Sequence, residues 1–226
     1  MSGKFDPQDI VMNLPRRDAR DKLLGRTKYT IDAGGSDVLH AVLLRAGAPS
    51  ANIKSINFDK AKSMPGVKGI ATYADAPGQH GLGIADTPIF ADKVIRYHGE
   101  PIAAIAAKTL EQAQDAAREV EIELIEQKPI LKMKDSLADS AKLVHPNWAD
   151  YDVLFEGAER KGNIAWEATV VRGDTDEAFA RDDVEVVEGC YSVGRQSHVP
   201  FEPRVAVASY EDGRFHIQTS TQVPWT

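Results

Sequence analysis

Ten consecutive residues, Gly194-Arg195-Gln196-Ser197-His198-Val199-Pro200-Phe201-Glu202-Pro203, bring an amide, an imidazole and a carboxylate into one proline-punctuated segment. Such a set can serve as a metal site, as a hydrolase's acid and base, as one wall of a larger cofactor site, or as an ordinary turn. A hydrolytic metal site needs two or three histidines converging with carboxylates. The 6 histidines, His40, His80, His98, His145, His198 and His216, show neither H-x-H nor H-x-x-x-H spacing. His98 at a strand end and His216 within a strand read as hydrogen-bonded structural residues. His198 and Glu202 stand four apart, but Pro200 and Pro203 forbid the regular helix that would put them on one face. A divalent-metal hydrolase built on this pair is therefore the weakest reading.

Nucleophilic catalysis finds little support. Ser197 lacks the G-x-S-x-G elbow that exposes a nucleophile between strand and helix. Cys190 is the single cysteine, so no intrachain disulfide and no cysteine-based zinc or iron-sulfur site can form. Its alternating surroundings mark it as a small core or interface residue. Gly34-Gly35 and Gly81-Leu82-Gly83 read as turns, because neither follows a strand and opens a capped helix as a phosphate loop must. What remains is a rigid loop presenting Gln196, whose amide offers a donor and an acceptor without adding a titrating charge. The plain alternative is that Gln196 bonds to nearby backbone and Glu202 caps a turn.

The elements that must position this loop follow from pattern. The 226 residues suit one large or two smaller domains, and 42% hydrophobic with 27% charged residues is an ordinary globular composition. Lys and Arg are scattered apart from Arg16-Arg17, and the net charge is -7, which argues against a nucleic-acid surface. No signal-peptide or membrane-spanning apolar run is present, so a soluble cytoplasmic protein is expected. Residues 1–19 read as an N-terminal arm. Strands are expected at Val38–Leu44, around Ile53 to Phe58, and at Val67–Tyr73, with a brief helix Lys60–Met64 capped by Asp59 before the third. A second unit of similar order follows: strand Val94–Tyr97, turn Gly99-Glu100-Pro101, strand Ile102–Ala107, a helix opened by a Thr109/Gln112 capping box, and an alternating strand Val120–Ile125. These two βαβ-like units give an α+β domain over 20–135.

Residues 136–180 read as a connector, with a short helix capped by Asp174. Strands are expected at Val184–Val193, Val205–Tyr210 and Phe215–Thr219, the last two joined by a hairpin turn at Glu211-Asp212-Gly213. Over 181–226 the strands leave open edges, so this second domain is expected to be incomplete in itself and finished by residues or a subunit outside the chain.

The order of motifs carries a resemblance. LLGRTKYTIDAG (Leu23–Gly34), SMPGVKGIATYADAPG (Ser63–Gly78) and the run from Val94 to Ile130 resemble the α/β hammerhead domain of the xanthine dehydrogenase and aldehyde oxidase family of molybdenum hydroxylases. The run Gly189–Pro224 is similar to the start of that family's molybdopterin-binding domain. The resemblance implies that a molybdenum held by a pterin dithiolene hydroxylates an electron-poor carbon of an N-heterocycle or aldehyde, with oxygen taken from water. It implies that Gln196, in G-x-Q-x-H, hydrogen-bonds an oxo ligand on molybdenum. Gly194, His198, Glu202 and Gln222 match the adjoining cofactor-binding positions, with His198 and Glu202 shaping the loop and Arg204 and Gln222 the weaker matches, for contact with the missing part. The family's glycine-rich loop and glutamate base have no counterpart here. The chain is thus expected to be inactive alone, with iron-sulfur clusters and FAD on other subunits and the rest of the molybdopterin-binding polypeptide as a further partner. A non-catalytic assembly or subunit-docking module is the rival of a different class.

Overall fold

The computed structural model describes residues 16–81, 83–153, 160–167 and 169–222. Most of the expected N-terminal arm, part of the connector, and residues 223–226 lie outside them. After α1 (Ala19–Leu23) and a 3-10 turn at Thr30–Asp32, the chain forms β1 (His40–Arg45), β2 (Ala51–Asn57), α2 (Asp59–Ser63) and β3 (Val67–Thr72). The short strands β4 (Gln79–His80), β5 (Thr87–Pro88) and β6 (Val94–Ile95) lead to β7 (Pro101–Ala107), α3 (Leu110–Arg118) and β8 (Glu121–Glu126). Beyond α4 (Met133–Ser136), a 3-10 turn Trp148–Asp150 and α5 (Thr175–Phe179), the hairpin β9 (Ala206–Glu211) and β10 (Arg214–Thr219) follows. These elements fall into two units: residues 39–190, and the described chain before Leu39 together with residues from Tyr191 onward.

The 39–190 unit is built on two antiparallel sheets, ordered β1-β7-β3 and β6-β2-β8. Strand β7, PIAAIAA, holds the centre of the first sheet because its small apolar residues can be covered on both faces: Ile102, Ala103, Ile105 and Ala107 are all essentially inaccessible. Strand β8 alternates, as its sequence requires. Ile122 and Leu124 pack inward on the Ala51, Ile95 and Ile102 cluster, while Glu123 faces out and pairs with Lys54 at 2.6 Å. The second cluster gathers Ala61, Ile105 and Ala116 with Val42, Met64 and Ile70, so that α2 and α3 seal the first sheet.

In the two βαβ-like units the strands flanking each helix are not neighbours in one sheet. Each helix carries the chain from one sheet into the other, and β2 pairs β8 while β3 pairs β7, all antiparallel. Crossing between sheets lets the units interlock through each other's strands, which a parallel crossover within one sheet would not.

Local capping departs from expectation in two places. Asp59 is the first helical residue of α2, and its backbone N–H donates to Asn57 Oδ1 at 2.9 Å. The Thr109 hydroxyl accepts from Gln112 N at 3.2 Å, but the reciprocal half of the capping box is missing. Gln112 instead lies over Gly66, whose φ of +86 and bare Cα admit it: a Cβ there would run into the Gln112 amide. Asp174 caps α5 as expected, its Oδ1 accepting from Glu177 N at 2.8 Å.

Residues 184–193 form no strand, and Cys190, expected in a core or an interface, is exposed in this chain. Among the described residues their alternation has no neighbouring strand to pair with, and a strand exists only through its partner's hydrogen bonds. The β9-β10 hairpin does form. Its Arg214↔Glu211 pairing leaves Asp212 and Gly213 as a two-residue turn with φ of 50 and 78, the left-handed pair that matches strand twist. Among the described residues no helix is long and apolar enough to cross a membrane.

Candidate functional site

The Gly194–Arg204 segment runs into β9 and is fixed from one side. Glu202 Oε1 accepts a hydrogen bond from the backbone N–H of Thr30 at 3.2 Å. Thr30 is buried and opens the 3-10 turn Thr30–Asp32, which Asp32 closes by accepting Tyr29 N–H at 3.0 Å. At the start of β9, the Thr219 hydroxyl donates to the Val205 carbonyl at 3.0 Å. Between these anchors and Gly194 the backbone is under strain. Val199 has φ 40, a left-handed conformation that costs a β-branched residue on the order of 1–3 kcal/mol. The following Pro200 adds to it by disfavouring anything but extended backbone at 199.

Of the expected site residues, Gly194, Gln196, His198 and Gln222 are exposed, as is Arg204. Among the described residues nothing hydrogen-bonds the Gln196 amide, so its donors stay available. Glu202 is half-buried and already committed to a turn. His198 and Glu202 are not joined by any hydrogen bond or ion pair among the described residues, and no group of three or more His, Cys, Asp or Glu side chains converges there as a metal site.

Sequence reasoning missed a second polar cluster, inside the 39–190 unit. The Arg160 side chain, 6% exposed, pairs with Asp86, and its guanidinium lies 5.7 Å from the centre of the Tyr151 ring. The Tyr151 hydroxyl meets His145 Nδ1 at 3.1 Å. Burial first, and then the Arg160 guanidinium, push the His145 pKa down to about 4, against the opposing pull of Asp86. At Asp86, burial acts to raise the carboxyl, but the Arg160 and Thr87 hydrogen bonds win and hold it below its usual value. No periodicity links residues 74 positions apart, so only the Arg160 charge inside a weakly patterned stretch hints at the pair. The folded state favours neutral His145. Its contribution is complete above the unfolded pKa of 6.5 and is lost as pH falls from there through about 4. The melting temperature should drop across that window, and His145→Gln should flatten the drop; an unchanged slope in the variant would exclude His145 as its source.

Comparison with known proteins decides the family. Residues 24–128 match the model described as the aldehyde oxidase and xanthine dehydrogenase a/b hammerhead domain, and residues 155–226 match the molybdopterin cofactor-binding domain. The chain belongs to the aldehyde oxidase and xanthine dehydrogenase family. It is 31% identical over 222 residues to the nicotinate dehydrogenase large molybdopterin subunit of Eubacterium barkeri, covering 97% of this chain and 49% of that protein. It is 32% identical to a probable xanthine dehydrogenase subunit of Bacillus subtilis, covering 94% and 27%. The aldehyde oxidoreductase of Desulfovibrio gigas superposes with a TM-score of 0.75 at 31% identity, over 91% of this chain and 23% of that one. The chain thus spans about half, or less, of the length of these relatives. The α+β hammerhead fold expected from the motifs is the fold this family model describes, and the Gln196 loop and the β9-β10 hairpin both lie within the residues matched to the cofactor-binding domain.

Proposed function

We propose that the chain is the N-terminal portion of a molybdenum-dependent hydroxylase of N-heterocycles or aldehydes, supplying one wall of the molybdopterin site through the Gln196 loop. The observation that carries this reading is the open Gln196 amide on a strained, anchored loop inside the segment matched to the cofactor-binding domain. The residues present fit the group. A neutral amide donates without a countercharge, and Gly194 and His198 lie beside it, free for backbone and ring contacts. When bound, the molybdenum-pterin group supplies two-electron oxidation of a substrate carbon, with oxygen derived from water.

The chain's own contribution is positional. Gln196 Nε2–H donates to the cofactor, Gly194 and His198 shape the near side of the pocket, and Gln222 holds the far end of the segment. Glu202 takes part from the loop's base. The hammerhead domain over 20–135 and the connector over 136–180 accompany this loop in an assembly with the remaining molybdopterin-binding polypeptide and with partner subunits carrying iron-sulfur clusters and FAD, in the cytoplasm. On this reading the chain does not turn over substrate alone and depends on a partner polypeptide for the carboxylate that activates water.

The test is recovery of the protein from its native cells under mild conditions, with co-purifying chains identified and molybdenum measured in the same sample by mass spectrometry. Molybdenum together with a chain completing the cofactor-binding domain and iron-sulfur and flavin subunits is the expected result. Recovery alone and metal-free would overturn it in favour of a subunit-docking module.

A further inference from the structure

We infer that Glu202 is a positioning residue that clasps the Gln196 loop to the Thr30 turn and thereby holds Val199 in its strained backbone. The inference rests on Gln196 facing the cofactor. Two independent observations carry it. One is the Glu202 Oε1 to Thr30 N–H bond at 3.2 Å, spanning 172 positions of sequence to a buried backbone donor. The other is φ 40 at Val199, midway between Gln196 and Glu202, a conformation that a β-branched residue before proline keeps only when its surroundings hold it. Release of the carboxylate frees the base of the loop, and the loop relaxes toward extended backbone. Gln196 then loses its fixed aim, because its own amide has no other partner among the described residues. Glu202 acts on the reaction through Gln196 and touches neither substrate nor cofactor.

The experiment uses the assembled, molybdenum-containing protein and begins with a readout independent of turnover. Hydrogen exchange at the Thr30 amide is expected to quicken about tenfold in Glu202→Ala and to recover in Glu202→Gln, whose amide oxygen still accepts the bond. Turnover should follow the same order. In Glu202→Ala kcat falls about tenfold with KM unmoved, from misplacement of a group remote from substrate binding, and Glu202→Gln restores most of it. Thr30→Pro removes the donor from the other side. The backbone of Tyr29 is already extended, with φ -104 and ψ 168, as the residue before a proline must be. This variant should reproduce the loss even if Glu202→Ala fails to fold.

Combined with Gln196→Ala, neither change should add a further loss, since both act on the same amide. Multiplying losses, an unchanged Thr30 exchange rate, or a Glu202→Gln as slow as Glu202→Ala would overturn the clasp. Turnover indifferent to Gln196→Ala would instead overturn the molybdenum-site reading itself, whereas sensitivity to Gln196→Ala without sensitivity to Glu202→Ala removes the clasp alone.

Discussion

Gln196→Ala, in the complete molybdenum-loaded complex, is expected to slow turnover on the order of 10²-fold while leaving the melting temperature where it was. The size follows from what such donors do elsewhere: deleting one preorganised hydrogen bond to a reacting centre costs about 10²–10³ in kcat, or ~2.7–4 kcal/mol. The unchanged stability follows from the site. Gln196 is exposed and its amide has no partner among the described residues, so truncation opens no cavity and orphans no buried group. A loss of rate accompanied by equal loss of folded protein would point to structure instead of catalysis. An unchanged rate would take Gln196 out of the site.

The largest stability effect is expected at Glu100. Its side chain is 1% exposed, with Oε2 accepting the Arg96 backbone N–H at 2.5 Å and Oε1 accepting from the Arg96 guanidinium at 3.2 Å. The same turn is stitched to the end of β1 by Ala46 N–H on the Glu100 carbonyl at 2.9 Å and Gly99 N–H on the Ala46 carbonyl at 2.8 Å. Glu100→Ala leaves Arg96, whose side chain is only 14% exposed and whose Nε already lacks a partner among the described residues, with only the Val94 carbonyl at 3.3 Å and the more distant Asp92 carboxylate at 4.0 Å. Breaking a buried pair from one side costs about 3–5 kcal/mol, readable as a shift in the urea midpoint at constant slope. Glu100→Gln keeps the acceptor for the backbone N–H and should lose less. A cost for Glu100→Ala no larger than that of an exposed ion pair would show that Asp92 or water takes over the Arg96 charge.

What was legible in the sequence divides along physical lines. The β7 run of small apolar residues, the Glu-Ile alternation of β8 and the Asp212-Gly213 turn are local signals, and each element stands within a residue or two of its expectation. Pairing is not local. Nothing in residues 184–193 announces that no strand would lie beside them, and nothing in the βαβ-like order reveals that each helix changes sheets. At the candidate site, the amide of Gln196 and the prolines around it could be read directly from residue type. The left-handed backbone at Val199 and the burial of Glu202 against Thr30 could not, because they depend on where a distant segment folds. The Arg160 and Asp86 pair was hidden for the same reason.

The interrupted unit, in which Thr30 waits for Glu202, also sets an order of events during synthesis. A ribosome adding roughly 5–20 residues per second needs about 9–34 s to make the 172 residues between the two. Within that interval every strand of the two three-stranded sheets has emerged and can pair, since the last of them ends at Glu126. The hammerhead therefore acts as a timer: the Thr30 turn is held without its acceptor until the loop bearing Gln196 is made.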